Sequence, residues 1–184
     1  MEVLVTGAAG FVGRNLVRQL LDEGYSVRAL VLPGDELAWC EDRRVKAIEG
    51  DVRDAYRVTE AAAGVQHIYH LAALTSPDAN DPSALLETNV GGTLNVARAA
   101  LEGGARRLVF TSSAAVYGRR IQRHGIDETT PVAPDSAYAQ SKVEAENLLL
   151  DSWSRDRLPV VIVRTSTVFG PGVLDWLEFF RVIE

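Results

Sequence analysis

The 184-residue sequence contains a single cysteine, Cys40, and therefore cannot form an internal disulfide. We interpret Cys40 as a free, buried thiol, which predicts a reducing compartment such as the cytoplasm. No apolar run approaches the roughly 18 residues that a membrane helix needs. The chain opens with Glu2 and a short apolar strand, whereas a secretory signal would carry a basic stretch and a long apolar one. We therefore expect neither a membrane span nor a signal peptide.

Clustered positive charge is also scarce. The chain has 19 lysine and arginine residues against 25 aspartate and glutamate residues, a formal net charge of −6. Arg119, Arg120 and Arg123 form a tight basic group, which we interpret as part of a solvated loop. Nucleic-acid binding needs clustered positive charge, so we expect no such partner. There is no repeat, low-complexity tract or linker, and the length predicts one domain over residues 1–184 that needs no metal to hold it.

Short runs rich in valine, isoleucine and leucine alternate with longer segments of helical spacing. This alternation predicts an α/β fold, a doubly wound parallel sheet of the Rossmann type with helices on both faces. We expect strands at 2–6, 26–32, 45–48, 66–71, 106–111 and 159–164, and helices at 11–23, 53–63, 82–102 and 137–155. Gly24 and Gly103 are placed to end the first and third helices. The stretch from Ser112 to Ser136 has no convincing element, and loops of that length are usually functional or disordered.

Three glycines, Gly7, Gly10 and Gly13, follow the first strand at G-x-x-G-x-x-G spacing, with Phe11 and Val12 inside the motif. A residue without Cβ lets a pyrophosphate approach the backbone, and the N–H groups and dipole at a helix N-terminus attract negative charge. Such glycines also serve strand-to-helix turns that bind nothing. Their position directly after the first strand favours a dinucleotide site.

The end of the second strand should distinguish NAD from NADP, because an acidic residue there binds the ribose and an arginine accepts a 2′-phosphate. The sequence has Leu30-Val31-Leu32-Pro33 and offers neither signal. Asp35 and Glu36, slightly further on, would repel a phosphate. Arg14 and Arg28 are the nearest cations, and Arg28 is expected to point out of its strand. The sequence therefore favours NAD and leaves NADP open.

Tyr138 and Lys142 are four residues apart, which places both side chains on one face of a helix. A free phenol with a pKa near 10 is a poor base, and a neighbouring cation would favour the phenolate and lower that pKa. The pair alone is common. Ser112 and Ser113 strengthen it, because they follow the strand at 106–111, at the carboxyl end where open parallel sheets bind ligands.

Seven stretches together resemble the amino-terminal part of the extended short-chain dehydrogenase/reductases, the NAD-dependent epimerase/dehydratase family. In chain order they are Thr6 to Gly13, Gly50 to Asp54, His70 to Ala73, Asn89 to Asn95, Thr111 to Gly118, Tyr138 to Lys142 and Arg164 to Gly172. The resemblance covers nearly the whole chain, and seven motifs in the family's order are highly specific.

The resemblance implies that Tyr138 is the general acid/base, that Lys142 lowers its pKa and holds the nicotinamide ribose, and that Ser113 orients the substrate oxygen. The cofactor-binding residues that it implies, besides Tyr138 and Lys142, are Gly7, Gly10, Phe11, Val12, Gly13, Asp51, Val52, Leu71, Ala72, Ala73 and Asn89. It also implies a small-molecule substrate such as a nucleotide sugar, and a homodimer formed through the helices at 82–102 and 137–155.

Structural roles remain open for three of the motif residues. Asp51 could cap the helix expected near Arg53, and Asn89 could tie strand ends together. His70 is expected to be a core histidine with satisfied hydrogen bonds rather than a catalytic residue.

The sequence departs from the family pattern at Thr167, where many sugar-nucleotide members carry asparagine. Threonine there is closer to dihydroflavonol reductases and 3β-hydroxysteroid dehydrogenases, although Leu32 replaces an arginine that those NADP users often have. Epimerase, dehydratase and reductase chemistry all stay open, as does a dinucleotide-binding module without turnover.

The family continues beyond Gly172 into a substrate-binding part, whereas this sequence stops at Glu184, which predicts a truncated chain. An apolar stripe at helical spacing near the end would need a covering surface and is expected to be an association face. Its members are Val173, Leu174, Leu177, Phe180 and Ile183.

Overall fold

The computed structural model describes residues 1–35, 40–75, 82–119 and 125–170. Glu36, Arg120, Arg123 and the stripe at 173–183 lie outside the described residues. Six described strands form one parallel sheet with the order β3-β2-β1-β4-β5-β6. They are β1 (Glu2–Thr6), β2 (Ser26–Val31), β3 (Val45–Glu49), β4 (His67–His70), β5 (Arg107–Ser113) and β6 (Val160–Thr165).

Helices cover both faces of this sheet, which confirms the doubly wound architecture. The described helices are α1 (Phe11–Asp22), α2 (Ala55–Ala62), α3 (Pro82–Leu85), α4 (Gly92–Glu102) and α5 (Ala137–Asp156). Helix α1 buries Val17 and Leu20 against β1 and β2 on one face. Helices α2, α4 and α5 form a second core on the opposite face, where Ile68, Leu108 and Phe110 lie at its centre. The continuous apolar run of β1 follows from burial on both faces, whereas β5 alternates between buried and partly buried residues.

The single helix expected at 82–102 is interrupted. A π-helix at Leu86–Gly91 separates α3 from α4 and carries the buried Asn89. Its side chain binds the backbone of Leu74, outside the helix, at both the N–H and the carbonyl. We attribute the insertion to this contact, which turns Asn89 out of regular α-helical register. π-turns of this kind are frequent at functional sites.

Two other local expectations need correction. The first helical turn of α2 is capped by Asp54, whose carboxylate accepts from the N–H groups of Tyr56 and Arg57, so Asp51 is not the cap. Gly103 is the C-cap of α4, as expected, and the next residue, Gly104, has the left-handed backbone. Ser112 and Ser113 belong to β5, followed by a 3₁₀ turn at Ala114–Tyr117.

Two expectations about single residues also change. Cys40 is free but only partly buried. Arg28 does not point into solvent, because its guanidinium pairs with Glu2 at 2.7 Å and donates to the carbonyls of Ala61 and Ala63. In the described part of the chain, no helix is long and apolar enough to cross a membrane.

Candidate active site

The turn from β1 into α1 brings the three motif glycines together. Gly7 has a φ of +67°, and a Cβ there would lie 2.7 Å from the backbone nitrogen of Ala72. Gly10 is the N-cap of α1 and provides no side-chain acceptor for the first helical N–H groups. These N–H groups and the open backbone form the kind of surface that binds a pyrophosphate. Gly13 packs inward against Gly7 and Ala8.

A cleft of about 430 Å³ opens along the carboxyl ends of β1, β2 and β4. This is the edge at which open parallel sheets bind ligands. The lining includes seven of the expected cofactor-binding residues, namely Gly7, Gly10, Asp51, Val52, Leu71, Ala72 and Ala73. The other expected cofactor-binding residues, Phe11, Val12, Gly13, Asn89, Tyr138 and Lys142, lie outside its lining.

The cleft also has lining residues that the sequence patterns did not assign to the cofactor, namely Leu30, Val31, Leu32, Asp35, Gly50, Arg53, Leu74, Ala84 and Thr88. Leu30, Val31 and Leu32 could have been included, because the carboxyl end of β2 neighbours that of β1 in any sheet of this order. Ala84 and Thr88 carried no such signal, since the position of α3 and the π-helix follows from tertiary contacts.

Asp35 closes a turn at the end of β2. Its carboxylate accepts from the Leu32 N–H at 3.1 Å, and its own N–H donates to the Leu32 carbonyl at 3.0 Å. Leu32 is half-exposed and occupies the position at which an acidic residue would bind the cofactor ribose. The turn therefore brings an acidic group into the cleft wall from four residues beyond the end of the strand.

Asp51 and Arg53 form an ion pair beside this end of the cleft. The Arg53 guanidinium lies 2.6 Å from the Asp51 carboxylate and 4.0 Å from that of Glu87. The pairing lowers the pKa of Asp51, while partial burial opposes the shift. Asp51 is thus held ionised, with its carboxylate committed to Arg53.

His70 lies in the core behind the cleft wall, as expected. Its Nδ1 is 2.8 Å from Thr6 Oγ1, and its Nε2 is 3.0 Å from Thr93 Oγ1. The Thr93 hydroxyl donates to the Asn89 carbonyl, so it accepts from a protonated Nε2, and Thr6 donates to Nδ1. Complete burial, with a further contribution from Lys142, lowers the pKa of His70 to about 3. The ring is neutral, with its proton on Nε2.

The Thr6 hydroxyl oxygen also accepts from the N–H groups of Leu71 and Ala72, at 3.2 and 3.1 Å. This hydroxyl therefore joins the histidine to the backbone of the cleft wall. The Asn89 amide makes a second link: it binds Leu74 in the wall and donates to Ser141 Oγ at 2.9 Å, and Ser141 donates to the carbonyl of Tyr138.

Helix α5 carries Tyr138 and Lys142 and is capped by Ser136, whose hydroxyl accepts from the Ala139 N–H. Tyr138 meets Ser113 from the end of β5. Burial raises the pKa of the Tyr138 phenol, and a hydrogen bond with the Ser113 side chain opposes the shift. The spacing predicts that Lys142 lowers this pKa, but burial and Ser113 are the main influences on it here. The Lys142 Nζ lies 5.9 Å from the centroid of the Tyr138 ring and is directed elsewhere.

Lys142 is almost completely buried. Its Nζ donates to the Thr111 carbonyl at 2.9 Å and lies 4.8 Å from the centroid of the Phe110 ring. Burial lowers its pKa to about 8, against an opposing effect of Glu146. The three residues expected to be catalytic, Ser113, Tyr138 and Lys142, thus lie around the end of β5.

The strand order and the glycine turn define a Rossmann-type α/β protein. The model of the NAD dependent epimerase/dehydratase family matches residues 3–178. The chain belongs to this family, as its motifs predict.

Relatives and solved structures agree. A 3 beta-hydroxysteroid dehydrogenase/Delta 5-->4-isomerase of Mycobacterium tuberculosis is 34% identical over all of this chain and 50% of its own length. The dTDP-glucose 4,6-dehydratase of Streptomyces venezuelae, with NAD bound, has a TM-score of 0.86 and 34% identity over 93% of this chain and 57% of its own. The UDP-glucose 4-epimerase of Thermus thermophilus, complexed with NAD, has a TM-score of 0.85 and 34% identity over 94% of this chain and 57% of its own. The chain spans about half the length of the curated relatives that it matches.

Proposed function

We propose that residues 1–184 form an NAD-binding domain in which Ser113, Tyr138 and Lys142 handle the proton during oxidation or reduction of a hydroxyl-bearing substrate. The main observation that supports this proposal is that these three residues lie together at the carboxyl end of β5, at the same edge of the sheet as the cleft. The family match supports the chemistry. Because the chain spans about half the length of its curated relatives, activity on a substrate is proposed for the whole protein.

The cleft suits a dinucleotide. A Cβ at Gly7 would press on Ala72, so the bare backbone is needed where the β1 turn approaches β4. The uncapped N-terminus of α1 offers N–H groups to phosphate oxygens. Leu71 to Ala73 would line the same ligand, and Val52 would contact the adenine from the far end. Solved structures of similar proteins contain NAD.

Bound NAD would supply the hydride acceptor or donor. In the direction of oxidation the deprotonated Tyr138 phenolate would take the proton from a substrate hydroxyl, and in the direction of reduction the neutral phenol would donate a proton to the carbonyl oxygen. The Ser113 hydroxyl, which is hydrogen-bonded to the Tyr138 phenol, would orient the substrate oxygen. Lys142, held by the Thr111 carbonyl, keeps a cation within 5.9 Å of the phenol ring.

NAD is the expected cofactor rather than NADP because of Asp35. A 2′-phosphate bound at the end of β2 would face its carboxylate. Arg53, the cation in that lining, is already paired with Asp51.

A nucleotide-sugar epimerase or dehydratase is the first choice of reaction, supported by the solved structures to which the chain is similar. A ketone reductase or hydroxysteroid-type dehydrogenase is the second, favoured by Thr167 and by the mycobacterial relative. An epimerase or dehydratase would retain the oxidised intermediate and act on it again, whereas a dehydrogenase would release it.

We also propose a homodimer that forms through α4 and α5 in a reducing, cytoplasmic setting. Leu150 and Trp153, one turn apart on α5, are 49% and 52% exposed. Sedimentation of a clean monomer at high concentration would contradict this assembly.

Tyr138→Phe tests the main proposal. Titration calorimetry should give nearly unchanged NAD affinity, while turnover of a panel of nucleotide sugars and hydroxy-ketones falls by at least about 100-fold, since proton transfer typically contributes that much. Tyr56→Phe, at a 74% exposed position, is the matched control and should retain activity. Absence of NAD binding by the wild-type chain would overturn the proposal, and binding without any turnover would favour a non-catalytic module.

A further inference from the structure

A buried charge pair lies one helical turn beyond Lys142 and has no part in the proton transfer described above. The Glu146 carboxylate is 2% exposed and lies 2.6 Å from the Arg164 guanidinium, which reaches it from β6. Removing an ion pair of this kind from water is costly unless its remaining hydrogen-bonding capacity is filled. Here the capacity is filled by groups that surround the candidate catalytic residues.

Glu146 accepts a hydrogen bond of 2.5 Å from the hydroxyl of Ser112, the residue directly before Ser113. Arg164 contacts both carboxylate oxygens and donates through Nη1 to the Tyr117 hydroxyl at 2.7 Å. Tyr117 belongs to the 3₁₀ turn that follows Ser113, and its hydroxyl donates to the Asp127 carbonyl. The pair therefore holds the chain on both sides of Ser113.

Glu146 and Lys142 are four residues apart on α5 and both are buried, so the carboxylate and the ammonium share one face of the helix. Burial lowers the pKa of that lysine, and Glu146 opposes the shift. Because Arg164 neutralises much of the Glu146 charge, the effect at Lys142 depends on both members of the pair. The groups that face the ammonium are Tyr138 and Glu146 on α5, the Thr111 carbonyl and the Phe110 ring on β5, neutral His70 on β4, and Arg164 on β6 beyond Glu146.

We infer that Glu146 is a positioning residue: with Arg164 it locks the β5 end that carries Ser113 onto α5, and it keeps a carboxylate available to the Lys142 ammonium. This inference rests on the proposed function for its catalytic meaning. Its electrostatic part concerns the free protein and can be measured without substrate or cofactor.

The chain contains only two lysines, Lys46 and Lys142. Labelling the lysine Cε with ¹³C therefore gives two side-chain NMR signals, and exposed Lys46 on β3 is an internal reference. Lys142→Met assigns the second signal. In the wild-type protein we expect that signal to titrate with a midpoint of about 8.

Glu146→Gln leaves Arg164 without its partner and should lower the Lys142 midpoint by about one pH unit. Arg164→Gln leaves the carboxylate unpaired and should raise it. Opposite shifts identify an effect of charge, because loosening of the core would admit water and move both variants towards the ordinary lysine value. Glu144→Gln is the matched control: Glu144 lies on the same helix, pairs with Gln140 and should leave the midpoint unchanged.

Shifts in the same direction, or no shift in a folded Glu146→Gln protein, would overturn the inference. If Glu146→Gln does not fold, Ser112→Ala still tests the positioning role, because it leaves both charges of the pair in place. Turnover measurements test the positioning role. Ser112→Ala removes only the side-chain bond to Glu146 and should lower kcat several-fold with little change in KM. An equal loss of kcat in Glu144→Gln would contradict the positioning role. NAD titration of the wild-type protein tests the proposed function separately, so that either claim can fail alone.

Discussion

Gly13 and Gly7 are packed so tightly that a Cβ atom on Gly13 would overlap the carbonyl oxygen of Gly7 and lie 2.8 Å from Ala8 Cα. The obstructing atoms are backbone, and a backbone in the β1–α1 turn cannot move without changing the cleft. We therefore expect Gly13 to support nucleotide binding through the packing of α1, although it does not line the cleft.

Gly13→Ala is expected to destabilise the fold by about 1–3 kcal/mol, as overpacking generally does. NAD affinity, measured by calorimetry, should fall as well because α1 is displaced from the turn. Gly91→Ala is the control: a Cβ there would meet only Leu86 O at 3.9 Å, and alanine favours helix by up to about 1 kcal/mol. Unchanged stability and affinity in Gly13→Ala would show that the turn can relax.

Asp35→Asn should narrow the preference for NAD over NADP. A carboxylate and a phosphate a few ångströms apart in water repel by about 1 kcal/mol per unit charge, so we expect the ratio of the two dissociation constants to change by about tenfold, through tighter NADP binding. Competition titration of both nucleotides measures this ratio. Asp156→Asn, at the exposed end of α5, should leave it unchanged. A preference that persists in Asp35→Asn would exclude the carboxylate as its cause.

His70 should make the stability depend on pH. Its folded-state pKa of about 3 lies below the unfolded value near 6.5, so the unfolded chain binds the extra proton first. The free energy of unfolding should therefore decrease as pH falls from about 6.5 towards 3, by up to a few kcal/mol. Urea unfolding of the wild type and of His70→Phe at several pH values tests this. The variant should be less stable near neutrality and show a smaller slope, and equal slopes would assign the dependence to other groups.

Ser113→Ala should raise the pKa of Tyr138 further, because the hydrogen bond that opposes the effect of burial is lost. The ultraviolet absorbance of the phenolate reports this titration, and the Tyr138→Phe spectrum subtracts the other four tyrosines. Ser154→Ala, at an exposed position of α5, is the control. A fall in the midpoint, or none, would show that the serine does not stabilise the phenolate.

The sequence predicts most of the fold because local patterns and tertiary environment agree. Strand β1 is a continuous apolar run that only a sheet covered on both faces buries well, and the observed ends of β1 and β5 differ from the predicted ones by at most two residues. The break at Asn89 could not be predicted, since it follows from a contact with Leu74, fifteen residues away. Asp51 was a plausible cap because the helix was expected to begin near Arg53, whereas α2 begins at Ala55 and is capped by Asp54.

In the candidate site, too, the features that depend on local motifs could be predicted and those that depend on tertiary contacts could not. The glycine turn and the Tyr138–Lys142 spacing are local features of the sequence, and seven of the expected cofactor-binding residues line the cleft. Lys142 is drawn towards the Thr111 carbonyl, which the spacing alone does not predict. The role of Asp35 in the cleft wall and the Glu146–Arg164 pair depend on the turn after β2 and on the neighbouring positions of α5 and β6, which no single motif contains.

The two threonines that enclose His70 have a consequence for measurement. With both ring nitrogens engaged, the Nε2 proton can exchange with deuterium only after β1, β4 and α4 separate. The rate at which this proton exchanges in heavy water would therefore report how often the nucleotide-facing edge of the sheet opens. A bound ligand that stabilises this edge should lower the exchange rate.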